Sequence, residues 1–186
     1  MSRQNLLIGA LFLFSLLSWR WFEADRQSGT LTNPEEYYQP TFTANKLKYL
    51  NFGDNGQLRN EVSADYTEYY NQLEQTELFN PVIIAHDEQG QAQWRISAKQ
   101  GILNLNDNAI LRDQVRILAL TANDTLDWLE TPYLEMDLLR NEVRNHHPVT
   151  MEGPRFHLEG VGLLGQLDQR IYEILDKSHG IYFNQP

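Results

Sequence analysis

Three short stretches carry residues with chemical potential, and each is poorly placed for chemistry. Gly160-Val161-Gly162-Leu163-Leu164-Gly165 spells G-x-G-x-x-G, the loop that cradles a pyrophosphate at a helix N-terminus. That loop belongs early in a doubly wound α/β sheet, and only 21 residues follow Gly165, too few for the remaining βαβ units. The glycines read instead as places where a strand bends or bulges. His146 and His147 precede Pro148, with His157 farther on. Neighbours on an extended chain face opposite ways, so the pair does not readily share one ion and reads as a polar turn. Asn123-Asp124-Thr125 matches a glycosylation sequon, a pattern that arises often by chance. Cys is absent, which removes disulfides, thiolate metal sites and a thiol nucleophile; G-x-S-x-G and P-loop motifs are absent too. No catalytic residue, metal ligand or cofactor is assigned, and the chain is not expected to be an enzyme.

The elements around these residues are more informative. Residues 6–19, LLIGALFLFSLLSW, form a 14-residue apolar run, and the uncharged stretch begins at Gln4. As a helix, 17 residues reach roughly 25 Å, short of a bilayer core of about 30 Å. Membrane thinning, a snorkelling Arg20 and the flanking Trp19, Trp21 and Phe22 close that gap. Bulky residues stand where signal peptidase would need small ones, so the segment is expected to be a retained anchor. The organisation that follows is a cytoplasmic tail at 1–4, a transmembrane helix at 5–22, a polar linker at 23–41 and an exported domain at 42–186.

Within 42–186, apolar and polar residues alternate with the period of a strand. Trp94, Ile96 and Ala98 oppose Arg95, Ser97 and Lys99; Leu134, Met136 and Leu138 oppose Tyr133, Glu135 and Asp137; Tyr172 and Ile174 oppose Glu173. A triplet of apolar, variable and small residues recurs as Val62-Ser63-Ala64, Ile96-Ser97-Ala98, Leu129-Glu130-Thr131 and Leu158-Glu159-Gly160, at spacings of 34, 33 and 29. Polar breaks follow at Asn71-Gln72, Asn106-Asp107-Asn108 and Arg140-Asn141, so each unit reads strand, turn, strand. Tyr66, Tyr69, Tyr70 and Leu73, and likewise Leu167, Ile171, Ile174 and Leu175, also fit helical spacing. The turn in the matching stretch 101–111 argues for strands throughout. The net charge of −10 lacks the basic footprint of a nucleic-acid binder. The fold class is all-β: stacked antiparallel hairpins forming an elongated, twisted, open β-jellyroll whose end strands offer unpaired edges.

The order and spacing of the short anchor, the linker, SADYTEYY, LFNPVI, WRISAKQG and VTMEGPRFHLEGVGLLG resemble the lipopolysaccharide export LptC family over essentially the whole chain. That resemblance implies a single-pass inner-membrane protein with its C-terminal domain in the periplasm. Its implied partners are the ABC exporter LptBFG, from which it accepts lipopolysaccharide, and the bridge protein LptA, to which it passes it on. Gly56 and Gly153 stand where the family carries glycines at partner interfaces. Exposing acyl chains to water costs about 0.8 kcal/mol per CH2, so a carrier needs a greasy interior. Leu47, Leu78, Ile96, Leu134, Met136, Leu138, Phe156, Leu158, Tyr172, Ile174 and Tyr182 would line it. The same residues could equally fill the core of a closed sandwich, in an anchored scaffold that recruits partners and holds no lipid.

Overall fold

The computed structural model describes residues 39–104, 107–121 and 126–183. The expected anchor, nearly all of the linker and the sequon at Asn123 lie outside the described residues. Every regular element among those described is a strand: β1 (Phe42–Phe52), β2 (Leu58–Tyr70), β3 (Gln75–Phe79), β4 (Val82–His86), β5 (Ala92–Ser97), β6 (Gln100–Asn104), β7 (Asn108–Ala119), β8 (Trp128–Asp137), β9 (Glu142–Gly153), β10 (Phe156–Gln166) and β11 (Ile171–Tyr182). All pairings are antiparallel. Both stretches with helical spacing are strands joined by turns, as the repeat pattern required. Among the described residues no helix is long and apolar enough to cross a membrane.

The strands form one sheet creased along its middle into two leaves. In leaf 1 a row of inward residues runs straight across the strands: Val62, Ile83, Ile96, Ile117, Leu129, Met151 and Leu158 are successive cross-strand partners. In leaf 2, Leu78, Gly101, Leu111 and Leu134 make one such row, and Ala109, Met136, Val143, Gly165 and Tyr172 another. The apolar faces of the two leaves share a single core. Each fully buried Leu, Ile, Val or Met contributes about 1.5–3 kcal/mol, and this row-on-row packing is what holds the sandwich.

The crease has a chemical signature. Lys46 (φ 58°), Asn80 (φ 50°), Asp113 (φ 61°), Gln114 (φ 52°) and Lys177 (φ 50°) all take left-handed backbone there, at a cost of roughly 1–2 kcal/mol each. Hydrogen bonds link the line: Asn80 N–H donates to the Lys99 carbonyl and Lys99 N–H to the Asp113 carbonyl, both at 2.9 Å. In the sequence the crease is a slip in alternation. Val62 and Ala64 are buried, then Thr67; Leu129 and Thr131, then Leu134. His146 and His147 lie on this line inside β9, so the expected polar turn is corrected to a strand crossing the crease. Proline at 148 tolerates that place because the register of β9 against β8 is already broken there.

The G-x-G-x-x-G stretch is β10 itself. Gly162 has φ 78°, the backbone that lets β10 bulge, and the register slips on both sides of Val161. Gly160 has no room for a side chain, because a Cβ there would collide with the Ile174 Cγ2 methyl of β11. Strand bending, not phosphate binding, accounts for these glycines.

Candidate functional site: the apolar interior and its open ends

Strand pairing runs from β1 at one end to β11 at the other, and among the described residues neither carries a strand on its outer side. The edges collect exposed apolar residues: Phe42, Tyr49, Leu50 and Phe52 on β1, with Ile171, Leu175, Ile181, Tyr182 and Phe183 on and beside β11. Water-exposed backbone N–H and C=O groups beside apolar side chains are the makings of a strand-addition surface.

Between the edges, the eleven expected lining residues divide by burial. Leu78, Ile96, Leu134, Met136 and Leu138 are at most 1% exposed and lie in the middle of the core. Leu47, Phe156, Leu158, Tyr172 and Ile174 are half-buried and pack against that core from its two ends. Tyr182 is 77% exposed, with its ring 6.4 Å from that of Phe156. The inward face is thus continuous, sealed at its centre and accessible where the strand order stops. Gly56 sits in the turn from β1 to β2, and Gly153 ends β9 at the turn into β10. Those two turns stand near opposite ends of leaf 1.

Several interior residues were not among the expected lining residues. Trp94 is buried between two small cross-strand neighbours, Ala85 and Ala119, which leave room for its indole. Its Nε1–H donates to the Leu167 carbonyl at 3.0 Å, and its ring meets Tyr172 edge-on at 6.2 Å. Leu163, Val143 and Met151 complete the core beside the expected residues. Alternation alone marks all of them as inward; what it lacks is the pairing of leaf with leaf.

The ion pairs among the described residues lie on the surface. Arg144 pairs with Glu135 at 2.7 Å, and a hydrogen bond from Tyr133, followed by that guanidinium, holds the Glu135 carboxyl below its usual range. Among the described residues no group of three or more His or carboxylate side chains is arranged to hold a metal. His157, on the outer face of β10, lies between Glu152 (2.5 Å) and Glu159 (3.3 Å). The Glu152 carboxylate first, and Glu159 second, raise its pKa above the ordinary 6.5. A raised pKa favours the protonated ring in the folded state. Its contribution is therefore whole below pH 6.5 and fades as pH rises through the folded midpoint. An NMR titration is expected to place the His157 midpoint above 6.5, and Glu152→Gln to lower it.

The family model for lipopolysaccharide-assembly, LptC-related proteins matches residues 7–183. The lipopolysaccharide export system protein LptC of Escherichia coli (strain K12) is 21% identical over 180 residues, covering 97% of this chain and 93% of that protein. Its namesake from Haemophilus influenzae is 22% identical over 202 residues, covering 97% and 94%. Among solved structures, LptH, the LptA-homologous periplasmic component of the lipopolysaccharide transport device of Pseudomonas aeruginosa, aligns with a TM-score of 0.47. That alignment has 13% identity and covers 68% of this chain and 95% of the other.

Proposed function

The chain belongs to the LptC-related lipopolysaccharide-assembly family, and from that membership we propose that it is a non-enzymatic component of lipopolysaccharide transport. Residues 5–22 hold it in the inner membrane and the strands stand in the periplasm. The β1 edge docks on the ABC exporter LptBFG, from which the chain accepts lipopolysaccharide. The β11 edge docks on LptA and hands the lipid on. Acyl chains travel between the two leaves while the sugars stay in water.

One observation carries this reading. An apolar row runs unbroken across leaf 1 from Val62 to Leu158, and the core it belongs to is flanked by half-buried apolar residues at both ends of the strand order, Leu47 on β1 and Phe156, Leu158, Tyr172 and Ile174 on β10 and β11. A neighbour adding a strand at either edge would extend that face across the junction, so an acyl chain could pass without meeting water. At about 0.8 kcal/mol per CH2, a tail in a broken path would be held back by many kcal/mol. The chain's net charge of −10 argues in the same direction, since an acidic surface does not grip phosphates and leaves binding to the tails.

A second reading, an anchored scaffold that never holds lipid, is favoured by the tight packing of Leu134 and Met136. Ile174→Asp separates the two. Ile174 is half-buried, so a carboxylate there can reach water and the domain keeps its fold, with a loss of about 1–2 kcal/mol. Lipid transfer is expected to fall at least tenfold while partner recruitment persists. Unchanged transfer in a folded variant would favour the scaffold.

A further inference from the structure

The geometry points to a hinge-and-latch construction, in which the leaves part along a hydrogen-bonded seam opposite the crease, so that an amphiphile entering from the β1 edge keeps its polar part outside while its tails move between the leaves. It rests on the lipid-holding reading above and adds where the polar part of the lipid emerges and what holds that slit shut.

The two long sides of the sandwich differ in kind. Along the crease the polypeptide itself runs from leaf to leaf. Along the opposite side, the strand tips of leaf 1 meet the turns of leaf 2, and among the described residues no backbone–backbone hydrogen bond crosses. Side chains close it instead. Tyr49 Oη donates to Asp107 Oδ1 at 3.0 Å, Asn60 Nδ2 to the Leu138 carbonyl at 2.6 Å, and Arg59 Nη1 to the Leu139 carbonyl at 2.9 Å. Trp94 Nε1 donates to the Leu167 carbonyl and Arg170 Nη2 to Gln93 Oε1, both at 3.0 Å. The Asn60 and Trp94 rungs are one device used twice. Each joins a leaf-1 strand to a turn two hairpin units ahead, and the second lies one unit beyond the first.

Two observations mark this side as one that meets a polar ligand. A groove of about 640 Å³ runs over the seam, lined by polar residues including Arg59, His86, Asp87, Asn141 and Asp168. In its wall and beneath it, Asn51, Asn60 and Asn141 are at least nine-tenths buried, yet Asn51 Nδ2, Asn60 Oδ1 and Asn141 Oδ1 find no hydrogen-bond partner among the described residues. Buried amides with unspent capacity are disfavoured in a permanently shut seam. They suit one that opens onto hydroxyl and amide groups. Directly below lie Val62, Ile83 and Leu138 of the core. A polar groove over an apolar core, separated by one layer of side-chain hydrogen bonds, has the cross-section of a glycolipid: sugar above, tails below.

Because the chain has no Cys, the pair Arg59→Cys and Leu139→Cys gives two unique thiols across the seam. The full-length protein, carrying a photo-crosslinker at Ile174, is joined with a short bis-maleimide or capped singly with N-ethylmaleimide, then offered lipopolysaccharide. The capped protein is expected to capture lipid and the bridged protein to capture at least tenfold less. A second variant, Arg59→Met, removes one exposed rung and is expected to load roughly threefold faster, in line with one modest hydrogen bond. Equal capture by bridged and capped protein, or unchanged loading in Arg59→Met, would overturn the latch and leave lipid binding intact. Capture by neither, with the uncrosslinked parent also failing, would overturn the lipid-holding reading and the latch with it.

Discussion

Replacing Trp94 with Ala is expected to destabilise the domain by about 3–5 kcal/mol, a large share of the 5–15 kcal/mol that ordinarily separates folded from unfolded chains. Two losses combine. The indole fills the space that Ala85 and Ala119 leave on either side, and neither can grow into the cavity. The Leu167 carbonyl also loses the donor that closes its turn, and it sits too close to the core for water to replace that bond freely. Trp94→Phe divides the effect. It keeps most of the packing and gives up the N–H, so its cost should be about half that of Ala. Urea denaturation of the full-length chain, followed by far-UV circular dichroism, measures both. A loss below about 1 kcal/mol for the Ala variant would mean that the leaves are held without this contact.

The second large effect is expected at Gly160. A valine there has to share space with the Ile174 Cγ2 methyl, and the Asp176 carbonyl is only 3.1 Å from the position of its Cβ. Neither β10 nor β11 can move aside without breaking the register that places Leu163 against Ile174 and Gly165 against Tyr172. Overpacking of this kind costs about 1–3 kcal/mol, and here it falls on an edge strand with little else to hold it. The outcome is a detached β11. Hydrogen exchange in residues 171–182 should accelerate at least tenfold while β4 and β5 keep their protection. Binding through the β11 edge should fail in step. Retained protection in β11 would show that the crowding at Gly160 is relieved cheaply.

How far these features could be read from residues alone depends on the range of the interaction. Alternation such as Trp94, Ile96, Ala98 against Arg95, Ser97, Lys99 is a local signal, and it sufficed for the strands, the turns near Asn71, Asp107 and Arg140, and the inward identity of Leu134 and Met136. The bend at Gly162 was legible for the same reason. The crease was written as a phase slip, plainest where Leu129 and Thr131 give way to Leu134. A slip by itself does not say whether a strand bulges or crosses from one leaf to another, and His146-His147-Pro148 looked like a turn. The seam had no local signal at all. Asn60 and Leu138 are 78 positions apart, and Trp94 and Leu167 are 73. Nothing in an asparagine's neighbours announces that its amide will cap a turn two units ahead. Burial divided the lining residues for a similar reason. Leu138 and Phe156 are alike as sequence, but one lies mid-sandwich and the other beside the last strands, a distinction made only by the strand order.

The central claim is that lipid tails occupy the space between the leaves. Photo-crosslinking on alternate faces of β10 and β11 tests it most directly. Leu158 and Ile174 face inward and are half-buried, so a bulky photoreactive side chain can be carried there without unfolding the domain; Glu159 and Glu173 are their outward neighbours. In cells that are exporting lipopolysaccharide, capture is expected at Leu158 and Ile174 and not at Glu159 or Glu173. Equal capture on both faces, or none at the inward positions while export proceeds, would contradict it.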